Sequence, residues 1–162
     1  MGMTAYFKIL NTSEFMLVAT KPNEIEDMLF PVDADDPFEG QTYLDKEWHN
    51  IHYLLCGELE PNGTALGDAV LGGNPMGPDL GYGHGRLIHS GRVSEISKAL
   101  EGVDFESLYS SIDKSDKKLE DVYSSFEFEV SEREYHLELF EKLKLMYRKA
   151  AEESCSVFAY FA

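Results

Sequence analysis

His49, His52 and Cys56 stand at i, i+3 and i+7, a spacing that places all three near one face of a helix. Zinc accepts histidine and cysteine ligands, and His84 or His89 could supply a fourth. The tighter anchor of familiar zinc sites, a Cys-x-x-Cys pair, does not occur in this chain. The better reading of the spacing is structural, with His52 a core or loop-supporting histidine whose ring nitrogens are satisfied by backbone groups. Neither a metal nor another cofactor is expected. A nucleophilic Cys56 activated by His52 has little behind it. Reactive thiols need electropositive, partly exposed surroundings, whereas Cys56 lies between Leu55 and Gly57 in an acidic protein.

The second chemistry-bearing stretch is rich in glycine. Ten of the thirteen glycines fall between Gly57 and Gly91, mixed with apolar, aromatic and charged residues that flexible linkers lack. Such density marks an ordered loop with left-handed turns or close approaches. Gly81, Gly83 and Gly85 do not form a phosphate cradle, because dinucleotide loops space their glycines differently and open a helix, and no Walker lysine is present. Asp79, Tyr82 and Arg86 are the polar groups this loop would present. Asp79 and Arg86 could pair bidentately, either to staple the loop internally or to contact a ligand. Adjacent carboxylates such as Asp35–Asp36 or Glu120–Asp121 carry no signal among thirty acids.

The net charge of −16 is spread along the chain, with −6 in residues 1–44, −4 in 45–91 and −6 in 92–162. Nucleic acid is excluded as a partner by the missing basic footprint. An acidic field favours encounter with a basic protein partner and disfavours anionic membranes. No signal peptide and no apolar run of membrane-spanning length is visible, so a cytoplasmic location is expected, with Cys56 and Cys155 as free thiols.

The elements that must position these residues follow from periodicity and punctuation. Ala5–Leu10 reads as a strand, and Asn11 with Glu14 as the capping box of a first helix to about Ala19. Pro22 opens a second short helix, and residues 30–40 have loop composition. Leu44, Trp48, Ile51 and Leu55 make one helical stripe that Gly57 ends. Arg86–His89 is a short strand, and Ser90 caps a helix that ends before Gly102. Two short helices are expected within 105–128. Ser131 and Glu134 form a capping box for a long helix to about Glu152, and Ser156–Phe161 reads as a strand buried on both faces. The class is α+β: one helix-rich domain spanning 1–162, with a small mixed sheet containing strands from both chain ends.

Two segments together carry a resemblance. Leu44–Gly57, with Leu-Asp-Lys, Trp48, His49, His52 and Leu-Leu-Cys-Gly, is followed by Gly72-Gly73, Gly77, Asp79, Gly81-Tyr82-Gly83 and Arg86. This pattern resembles the YfbM-like family, a bacterial domain family of unknown function. The opening Met-Gly-Met and the closing helix and strand are also similar, so the resemblance spans nearly the whole chain. His84-Gly85 departs from the proline usual before the arginine. The resemblance implies a compact α+β domain and no activity. It marks Asp45, Lys46, Trp48, His49, His52, Asp79, Tyr82 and Arg86 as positions matching the motif. Two functions fit. One is a non-enzymatic binding module, immunity- or inhibitor-like towards a basic partner. The other is a small-molecule or hydrolase-like site between the Trp48 helix and the Gly81–Arg86 loop.

Overall fold

A computed structural model describes residues 2–162. Five strands form one sheet: β1 (Ala5–Ile9), β2 (Thr42–Tyr43), β3 (Asn74–Asp79), β4 (His84–Ile88) and β5 (Val157–Phe161). Their order is β2-β1-β5-β4-β3, and every neighbouring pair is antiparallel, so the sheet is not mixed. The strands from the two chain ends are adjacent, with Phe7 opposite Ala159. β5 is central and carries no charge, which suits a strand buried on both faces.

Alternation along the strands divides the apolar residues between two faces. Ala5, Phe7, Ile88, Val157 and Ala159 join the larger core, whereas Leu87, Phe158 and Tyr160 join a smaller one on the opposite side. The larger face is covered by α3 (Trp48–Cys56), α4 (Ala65–Leu71), α5 (Ser90–Glu101) and α7 (Val130–Glu152). α1 (Thr12–Thr20) and α2 (Ile25–Leu29) cover the smaller face. α6 (Phe105–Ser110) packs beside α3 at the rim of the larger core.

Local chemistry explains most boundaries. Asn11 and Glu14 form the expected reciprocal capping box of α1. Gly57 ends α3 in the left-handed region at φ +68°. Three expectations need correction. The Leu44–Cys56 segment is broken, because Asp45 takes φ +49° and a 3-10 turn at Asp45–Glu47 precedes α3. Ser90 and Ser131 lie inside their helices, which are preceded by His89 and Glu129 without side-chain caps. The first amide of α5 is satisfied instead by Ser156 Oγ at 3.1 Å. Within 105–128 only α6 is an α-helix, followed by a 3-10 turn at Lys117–Asp121.

The glycine-rich stretch is not one loop. It contains α4, capped by Thr64 Oγ1 on the Gly67 amide, and the hairpin β3–β4. β3 is an edge strand, where Pro75 and Pro78 are tolerated because one edge needs no ladder partner. Gly85 is required by close approach, since a Cβ there would lie 2.2 Å from the Phe158 ring.

Candidate functional site

The structure brings four of the seven expected site residues into one neighbourhood beneath α3. Trp48 is buried, and its Nε1 donates to the Met3 carbonyl at 3.0 Å. Its ring stacks on His49 at 4.8 Å and on Tyr123 at 5.3 Å between centroids. His49 Nδ1 accepts from the Tyr123 amide at 2.9 Å, which leaves Nε2 to donate to the Leu59 carbonyl at 2.9 Å. Both ring nitrogens are consumed by the backbone. His52 is fully buried, and Cys56 Sγ lies 3.4 Å from its Nε2. Burial pushes the His52 pKa down to about 4, and the charges of His49 and Arg86 add to that.

Arg86 belongs to the same neighbourhood through β4. Its guanidinium lies 5.3 Å from the centre of the Phe161 ring, and that ring is 4.7 Å from Trp48. Its nitrogens donate to the Val70 and Gly72 carbonyls at 3.2 and 3.3 Å, satisfying the C-terminal end of α4. No pairing with Asp79 exists. Asp79 Oδ1 instead accepts from the Gly81 and Gly83 amides at 2.7 and 3.1 Å, closing the turn between β3 and β4. Those two hydrogen bonds hold its carboxyl below the usual range. Gly81 and Gly83 take φ +108° and +101° there, in the region that favours glycine. Tyr82 stands on the tip of this turn, 48% exposed. Asp79 and Tyr82 therefore sit at one end of the hairpin and Arg86 at the other. Asp45, the seventh residue, lies before α3 and accepts from the Tyr135 hydroxyl at 3.0 Å. Burial, together with that carboxylate, pushes Tyr135 up to about 12. Lys46 is exposed. The apolar groove of about 310 Å³ between β2 and α7 is lined by Ile9, Gln41, Tyr43, Lys142, Leu145 and Met146 among others, and by none of the seven.

A second polar cluster lies on the other flank of α3 and escaped the spacing argument. Glu47 Oε2 accepts from His136 Nε2 at 2.9 Å and from Asn50 Nδ2, and Glu47 Oε1 accepts from Ser124 Oγ at 2.8 Å. Burial works to raise the Glu47 pKa, but the three hydrogen bonds outweigh it and hold the carboxyl below its usual range. His136 and Asn50 are both fully buried, yet His136 Nδ1 and Asn50 Oδ1 have no hydrogen-bond partner. Glu132, one helical turn before His136 on α7, completes a group whose potential ligand atoms all lie within 4.8 Å of one another. The Glu132–His136 spacing of i, i+4 was the one trace of this cluster in the sequence. Glu47 comes from a distant segment that no local pattern could supply.

The comparisons with known proteins agree with the fold. A crystal structure of the Escherichia coli protein of unknown function YfbM superposes with a TM-score of 0.69 over 98% of this chain and 99% of that chain, at 20% identity. A comparison with curated proteins finds no match. A family model described as "Domain of unknown function (DUF1877)" matches residues 1–160. With a match over nearly the whole length and the YfbM fold beneath it, the chain belongs to the YfbM-like family of domains of unknown function.

Proposed function

We propose that this chain is a non-enzymatic binding module whose partner is a basic protein, in the manner of an immunity or inhibitor protein. One observation carries the reading. From Pro22 to Asp45 the chain contains no lysine or arginine, and α2 with the loop after it exposes Glu26, Asp27, Asp33, Asp35, Asp36 and Glu39. Glu24, also exposed, pairs with Lys21, whereas these six make no salt bridge among the described residues. Val32, 97% exposed, lies within that acidic stretch of chain. Unpaired carboxylates flanking an apolar side chain in sequence offer a cationic surface both steering and a contact that survives desolvation. The four groups of the hydrolase-like alternative do not converge in a cleft: His52 is fully buried, Asp79 is held by its own turn, Tyr82 stands on the hairpin tip and Arg86 is bonded to the end of α4.

The test is affinity capture on the immobilised protein from its host extract, alongside an Asp33→Asn/Asp35→Asn/Asp36→Asn variant. The expected result is a basic protein retained at low salt, released as ionic strength rises, and lost with the variant. A captured protein that is acidic, or that binds the variant equally well, would overturn the proposal. So would capture of nothing above background.

A further inference from the structure

We propose that Glu47, Glu132 and His136 form a binding site for one first-row divalent transition-metal ion, with Zn2+ as its representative, seated between the start of α3 and the first turns of α7. Two carboxylates and one imidazole are a donor set that such ions accept, and the two negative charges neutralise a dication. Distances come near those of a bound ion. Bonds of about 2.1 Å place tetrahedral ligands about 3.4 Å apart. The Glu47 Oε2–His136 Nε2 separation is 2.9 Å, and no pair of ligand atoms exceeds 4.8 Å. Glu132 is only partly buried, so a rotation of its side chain can close the remaining gap.

A separate observation points to a ligand. Asn50 is fully buried and its amide is turned onto this cluster, with Nδ2 on Glu47 Oε2, yet no protein donor reaches its Oδ1. A buried acceptor left this way is costly. An ion arriving with bound water brings donors that can satisfy it. His136 Nδ1 also lacks a partner, so the ring's tautomer is set by the bond to Glu47 alone. The Nε2 proton can move to Nδ1, freeing the Nε2 lone pair for the ion. The site is independent of the acidic stretch that includes Val32 and stands or falls separately.

Chelator-treated full-length protein titrated with ZnCl2 by calorimetry at pH 7 tests the proposal. The expected result is one ion per chain, with a rise in Tm on loading. Glu132→Gln is the decisive variant, because Glu132 takes no part in the Glu47–His136 hydrogen bond and the fold, checked by circular dichroism, should persist. It should bind Zn2+ at least about tenfold more weakly. A Co2+-loaded sample should broaden the His136 ring signals by NMR ahead of those of the other four histidines. Equal affinity in the wild type and Glu132→Gln, or weak uptake at many sites without a Tm rise, would overturn the assignment. Broadening centred on another histidine would do the same.

Discussion

The two ends of the β3–β4 hairpin carry residues of one sequence motif and do opposite work. At the tip, Asp79, Gly81, Tyr82 and Gly83 make a turn whose hydrogen bonds close on themselves and whose aromatic ring faces outward. At the base, Gly85 and Arg86 are built into the sheet. Gly85 lies against Phe158 on one face, and Arg86 reaches across the other face to the end of α4 and the aromatic cluster beneath α3. The chain shares a motif across a hairpin, but only its base is tied to the Trp48 helix. Proximity in sequence did not imply a common site.

The contrast can be broken at its base. Gly85→Ala forces a Cβ into the Phe158 ring, which has no room to withdraw inside the smaller core. A loss of about 3 kcal/mol is expected, or on the order of 10 °C in Tm. A thermal melt within a degree of wild type would mean that β4 can slide away from β5. Next comes the buried imidazole close to Arg86. His52 has a folded pKa of about 4 against its ordinary 6.5, so the unfolded chain binds the extra proton between those values. Its contribution is intact above pH 6.5 and is lost as pH falls towards 4, on the order of 3 kcal/mol in total. Urea midpoints measured across that window should fall for the wild type and change less for His52→Leu. Equal slopes would show that His52 titrates normally.

Arg86→Met keeps the length of the side chain but removes both hydrogen bonds to α4, with an expected cost of about 2 kcal/mol in chemical denaturation. Hydrogen exchange should quicken first at the last turn of α4. The tip should hardly respond. Tyr82→Ala is expected to stay within about 0.5 kcal/mol of wild type, and a larger loss would reveal a contact that ties the tip to the rest of the molecule.

Much of the architecture is legible in the sequence. Asn11 with Glu14, the stripe through Trp48, Ile51 and Leu55, and the uncharged run of β5 each follow a local rule that tertiary packing did not override. α4 and β3 were hidden for a physical reason. One contains Gly67 and the other Pro75, Gly77 and Pro78, residues whose intrinsic preference is against helix and strand. They hold because of non-local contacts: Arg86 and Tyr147 accepted at α4 carbonyls, and Gly77 pressed against Pro22 and Ile25. The aromatic half of the candidate site was visible because Trp48, His49 and His52 share one short helix. The Glu47–His136 pair was not, since its partners are 89 residues apart.

The placement of β5 has a consequence for how this molecule is made. It is the bridge between β1–β2 and β3–β4, which do not touch each other in the sheet. Until it arrives, a nascent chain holds only two separate two-stranded ribbons, each marginal on its own and each offering an open edge. Commitment to the native state therefore waits until Val157–Phe161 has emerged. A truncation just after α7 should yield not a smaller version of this protein but an aggregation-prone intermediate.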